Sequence, residues 1–138
     1  MVKSNKKAQV AIEYLILVSF ILFIISIATA YAIFTYYENV KISSVRNTVQ
    51  SMETAANQVY ALGPGNVIFR DIVLPAGVSD ESLAINREFY YRVQLFSGNS
   101  DFVGDVKGNI TEVQLPYSEG VHTIEIKVVD ENIVFTEV

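Results

Sequence analysis

The sequence predicts an α+β chain: a long N-terminal α-helix, apolar in its first half and amphipathic in its second, followed by a small antiparallel β-sandwich head. Three observations predict it. A charge-free apolar run fills residues 14–37, apolar residues then recur at helical spacing as far as residue 62, and beyond Gly65 the apolar period falls to two. The 138 residues divide into a basic segment at 1–8, an apolar helix at 9–37, an amphipathic helix at 38–62 and a head at 66–138.

The basic segment carries Lys3, Lys6 and Lys7, three of the ten Lys and Arg residues. The remaining seven stand against fifteen Asp and Glu, a net charge of −8 after the tip. A short basic tip on an acidic body is a topology signal. No basic patch exists to displace counterions from phosphates, so nucleic acid is not an expected partner. The chain has no cysteine, which excludes disulfides and thiolate metal sites.

The apolar helix contains YLILVSFILFIISIATAYAIFTYY, Tyr14 to Tyr37, without charge, Pro or Gly. As a helix the run is about 36 Å long, and a bilayer core needs about 20 residues. Tyr14 marks one end and Tyr31, Tyr36 and Tyr37 the other, as interfacial aromatics do. The lysines place the N-terminus in the cytoplasm and the head outside. A secretory signal peptide would use the same lysines, with Ala28-Thr29-Ala30 as its cleavage site. Against it, Glu13 abuts the apolar run, and apolar character continues past Ala30. A plain single-span anchor is the other reading of this segment.

In the amphipathic helix, Ile42, Val45, Val49, Met52, Ala56 and Val59 alternate steps of three and four. Lys41, Arg46, Gln50, Glu53 and Asn57 take the opposite face, and Gly63-Pro64-Gly65 ends the helix. The seam is short for an independent coiled coil, and a downstream sheet needs a cover, so it is expected to pack on the head.

Strands are expected at Asn66–Leu74, Val78–Leu83, Arg87–Phe96, Phe102–Val106, Asn109–Leu115, Val121–Val129 and Ile133–Val138. Phe89, Tyr91, Val93 and Leu95 alternate with Glu88, Tyr90, Arg92 and Gln94. Asp130-Glu131-Asn132 closes a C-terminal hairpin.

No catalytic, cofactor-binding or metal site is expected, and no enzymatic activity. His122 reads as a core or edge histidine rather than a ligand. Asp101 with Asp105, or Asp130 with Glu131, could touch a cation but have no EF-hand spacing. Asn109-Ile110-Thr111 is an N-glycosylation sequon after a Lys107-Gly108 turn, so Asn109 and Thr111 form a candidate modification site.

Lys7-Ala8-Gln9-Val10-Ala11-Ile12-Glu13-Tyr14-Leu15 resembles the class III signal peptide of archaeal type IV pilins: a basic residue, a small residue, Gln, then Glu-Tyr-Leu. Val59-Tyr60-Ala61-Leu62-Gly63 and Leu74-Pro75-Ala76-Gly77-Val78 are similar to stretches of small archaeal proteins of the same group. The family commonly has Gly before the cut, where this chain has Ala8. Bacterial prepilins usually have Gly before and Phe after, which favours the archaeal branch.

The resemblance implies cleavage between Ala8 and Gln9 by a prepilin-type membrane aspartic peptidase, removing 1–8 as a leader. It implies that Glu13, fifth in the mature chain, with Tyr14 and Leu15, serves subunit assembly by meeting the amino terminus of a neighbour. The implied partners are copies of itself or related pilins in a helical filament, and a type IV pilus assembly ATPase with its membrane platform. The precursor would sit in the cytoplasmic membrane and the product in an extracellular surface filament used in adhesion. A membrane-anchored or filament-tip binding module is the alternative.

Overall fold

The computed structural model describes residues 3–80 and 83–138, with side chains at 6–80 and 84–138. Met1 and Val2 of the expected leader, and residues 81 and 82 of the strand expected at Val78–Leu83, lie outside the described residues. The chain divides into two compact units, Met1–Tyr37 and Glu38–Val138. One long N-terminal helix is followed by a small, mainly antiparallel β domain.

Helix α1 spans Lys3–Leu62 and so begins before Gln9, inside the expected leader. It ends where the sequence stops supporting it. Gly63 has φ 87°, a conformation that costs glycine little, and its N–H donates to Tyr60 O at 3.2 Å. The Asn66 side-chain amide then donates to the carbonyls of Leu62 (2.9 Å) and Gly63 (3.0 Å), satisfying groups the helix end leaves open.

The strands are β1 Val67–Leu74, β2 Leu83–Ile85, β3 Glu88–Leu95, β4 Gly98–Asp105, β5 Asn109–Val113, β6 Gly120–Val129 and β7 Asn132–Glu137. They form a four-stranded sheet, β1-β6-β7-β5, and a three-stranded sheet, β2-β3-β4. Several details differ from expectation. β2 at Leu83–Ile85 starts where the strand expected at Val78–Leu83 ends, and β4 begins at Gly98, not Phe102. The β5–β7 pair is parallel, because β7 returns antiparallel to β6 through a tight hairpin and β5 meets its far side. Val78 makes an isolated bridge to Val93, flanked by backbone bonds from Ser79 N–H to Arg92 O and from Gln94 N–H to Gly77 O, both 2.8 Å.

The β6–β7 hairpin turns on two residues, Asp130 (φ 47°) and Glu131 (φ 68°). Positive φ at both central residues suits the twist of a hairpin, but Glu is a poor occupant because its Cβ crowds the carbonyl. Glu131→Gly is expected to raise stability by about 0.5–1 kcal/mol, the relief of crowding exceeding the glycine's lost chain entropy. A lower thermal midpoint for this variant would contradict the turn assignment.

Both sheets share their core with the second half of α1. Val45, Val49, Met52, Ala55, Ala56 and Val59 are buried with Ile72, Phe89, Tyr91, Ile124, Ile126 and Phe135. Phe89 of β3 and Phe135 of β7 meet with ring centroids 5.4 Å apart, joining the two sheets. Ile42, the first residue of the seam, is only half-buried.

Polar side chains flanking the seam cap exposed backbone of the head. Ser44 and Thr48 hydroxyls both donate to Val73 O, at 3.1 and 3.0 Å. Asn57 Oδ1 accepts from Lys107 N–H at 2.9 Å, and Glu38 Oε1 accepts from Ser97 N–H at 2.7 Å. The helix thus satisfies a strand edge and two turns while it fills the core.

Tyr91 is fully buried and its hydroxyl has no hydrogen-bond partner. Burial, and secondarily the Glu137 carboxylate, push its phenol well above the usual tyrosine range. Tyr91→Phe removes an unsatisfied polar atom from an apolar site. It is expected to be neutral or stabilising, by up to about 1 kcal/mol. A clear loss of stability on thermal unfolding would mean that the hydroxyl is satisfied.

Candidate functional site

The feature that most needs an explanation is the first unit of the chain. Apart from the half-buried Val18, its large apolar side chains are exposed on every side of α1, from 47% at Ile21 to 72% at Tyr31. Burying a large apolar side chain is worth about 1.5–3 kcal/mol. For the run from Val10 to Tyr37 the unrealised gain is therefore on the order of tens of kcal/mol. Such a surface requires an apolar surrounding, either lipid or other helices. The helix is long and apolar enough to cross a membrane, a criterion that signal sequences also meet.

The polar groups within the run suit such a surrounding. Ser26 Oγ donates to Leu22 O at 2.8 Å, Thr29 Oγ1 to Ile25 O at 2.8 Å and Thr35 Oγ1 to Tyr31 O at 3.0 Å. Each hydroxyl is satisfied inside its own helix and asks nothing of the solvent.

At the N-terminal side, Ala8, Gln9, Glu13, Tyr14 and Leu15 all lie on α1 and are exposed. Helical spacing brings Gln9 and Glu13 together: Gln9 Nε2 donates to Glu13 Oε1 at 3.2 Å. Glu13 is therefore held one turn from the backbone nitrogen that cleavage after Ala8 would free. Tyr14 and Leu15, at 70% and 67% exposure, stand beside it with their apolar surface open.

The remaining candidates are on the head. Asn109 and Thr111 are exposed at the start of β5, an outer strand of its sheet, while Ile110 between them is buried. In the native host Asn109→Gln is expected to lower the mass of the protein without shifting its unfolding. A mass raised only by the added methylene of Gln would show that the sequon is unused. His122 Nδ1 lies 2.7 Å from Glu137 Oε1, and its Nε2 lies 2.8 Å from Ser118 O. The ring ties the segment before β6 to the end of β7, a structural role. Asp101 is held by Arg92 through two bonds of 2.8 and 3.0 Å, and that pairing keeps its carboxyl below the usual range. Among the described residues no group of three or more His, Cys, Asp or Glu is placed to hold a metal ion. A shallow groove of about 460 Å³ runs between α1 and β4, lined by Arg46, Gln50, Glu53, Thr54 and Phe102 among others.

Sequence reasoning missed the capping role of Glu38 and the exposure of Phe96. Glu38 carried a signal, as the first charge after the apolar run; its partner Ser97, 59 residues away, carried none.

Comparison with protein-family models, curated proteins and solved structures finds no match to this chain.

Proposed function

We propose that this chain is a structural subunit, a major or minor pilin, of an archaeal type IV pilus-like surface filament. The observation that carries the reading is the pairing of the Ala8-Gln9…Glu13-Tyr14-Leu15 pattern with an apolar helix exposed on all sides. In the membrane, lipid covers that helix; in the filament, the same helix of other copies does. Cleavage after Ala8 removes the three lysines that hold the segment at the cytoplasmic face, and leaves Glu13 as the one acid before Glu38. The β domain then forms the outer layer, with Asn109 on its surface, and serves adhesion. The processing peptidase, the assembly ATPase and the membrane platform are the partners this role needs.

The test is the composition of filaments sheared from native cells. The chain should be present as a stoichiometric component. Its confinement to the membrane fraction, in cells that do carry filaments, would favour the membrane-anchored binding module.

A further inference from the structure

A glutamine that stands first in a chain is a reactive residue, because its amine and its carboxamide belong to one side chain and backbone. The α-nitrogen attacks Cδ, and the new N–Cδ bond closes a five-membered lactam. The Cδ–Nε2 bond breaks, and Nε2 leaves as ammonia with the proton that the amine gives up. The product, pyroglutamate, has no basic nitrogen. Ring closure needs the side chain folded back on its own backbone nitrogen.

Helix α1 holds Gln9 the other way. Gln9 Nε2 donates to Glu13 Oε1 at 3.2 Å, four residues on along the same face. Glu13 lies about 6 Å further along the axis, so the carboxamide that reaches it points away from the Gln9 nitrogen. Both partners lie beyond Ala8, and among the described residues Glu13 pairs with neither Lys6 nor Lys7. Loss of 1–8 therefore takes nothing from the contact. A carboxylate near the new start of the helix is also favoured by the helix dipole.

We propose that Gln9 is a latent pyroglutamate site and that Glu13 keeps it open, by holding the Gln9 carboxamide along the helix while the α-amino group remains an amine. The inference rests on the proposed cut between Ala8 and Gln9. It gives Glu13 a positioning role inside its own chain, before a neighbouring copy is met: the group proposed to receive a neighbour's amine first preserves the amine of its own subunit. Glu13→Gln keeps an acceptor oxygen and so keeps part of the restraint. Glu13→Leu removes it, and Leu is as good a helix former as Glu, so a changed rate reports the contact and not a frayed first turn.

Full-length wild type, Glu13→Gln and Glu13→Leu are expressed in the native host. The processed chains are purified in detergent, and the fraction that has lost one ammonia is followed by intact mass during incubation. The expected result is slow loss from the wild type, loss about twofold faster from Glu13→Leu, and an intermediate rate for Glu13→Gln. Equal rates for wild type and Glu13→Leu, or slower loss from Glu13→Leu, would overturn the role of Glu13 and leave the cut in place. A wild-type chain that is fully cyclised when isolated would overturn it as well. A processed chain that begins at a residue other than Gln9 would remove the proposed cut and this inference together.

Discussion

Glu13→Gln is expected to be inserted and cleaved, to fold its head normally, and to accumulate in the membrane with few or no filaments. The substitution keeps the shape of the side chain and removes its charge. After cleavage Glu13 is the one acid on an apolar helix as far as Glu38, and it is surrounded by Val10, Ile12, Ile16 and Leu17. In a bundle of such helices an unpaired carboxylate costs several kcal/mol, so the site is occupied stably only when a cation meets it. In the proposed filament the α-amino group of Gln9 on a neighbouring copy would be that cation. Within one chain Gln9 already turns its amide onto one carboxylate oxygen, at 3.2 Å. That contact orients the group and leaves its second oxygen open to the proposed partner. Glu13→Leu should behave like Glu13→Gln, because the role is registration between subunits and not helix stability. Electron microscopy of sheared filaments beside an immunoblot of the membrane fraction measures both quantities. Abundant normal filaments from Glu13→Gln would remove the pairing role and leave Glu13 as a residue at the membrane edge.

Gly104→Ala is expected to be the most damaging small substitution in the head. Gly104 of β4 lies opposite Phe89 of β3, and the Phe89 ring covers it. A Cβ at position 104 would stand 2.5 Å from Phe89 Cζ and 3.1 Å from Val49 Cγ1. Neither neighbour has room to withdraw. Phe89 is fully buried and meets Phe135, and Val49 is on the buried seam of α1. Overpacking of this kind costs about 1–3 kcal/mol, and contact on two sides places Gly104→Ala at the upper end. For a domain of this size that lowers the thermal midpoint by roughly 10 °C or more. The double variant Gly104→Ala/Phe89→Leu should recover part of the loss, because the residues are in contact and their effects are not additive. A midpoint unchanged by Gly104→Ala, measured by circular dichroism in detergent, would mean that the ring does not sit over the glycine.

Local pattern made much of this architecture readable. The charge-free run and the three-four spacing of Val45, Val49, Met52, Ala56 and Val59 carry the helix, because side chains on one face recur every 3.6 residues whatever they pack against. The alternation from Phe89 to Leu95 carries β3 for the corresponding reason. The start of β4 was not readable. Gly98-Asn99-Ser100 has no apolar alternation, and backbone pairing with Val93, Gln94 and Leu95 makes it a strand. The parallel β5–β7 pair was equally hidden, since a strand's own residues do not name its neighbour. The capping contacts of Ser44, Thr48, Asn57 and Glu38 join residues 25 to 59 apart, and no local period records them. The candidate assembly segment was readable only through its resemblance to a known pattern. Ala8, Gln9 and Glu13 are exposed, and their proposed role involves partners outside the chain.

The mature N-terminus tests the central claim most directly. Sequencing or intact mass of the protein from native membranes and filaments should give a chain that begins at Gln9 and keeps the whole apolar helix. A chain beginning at Tyr31 would make the helix a secretory signal peptide and end the filament reading. Retention of Lys3, Lys6 and Lys7 would make it a simple membrane anchor.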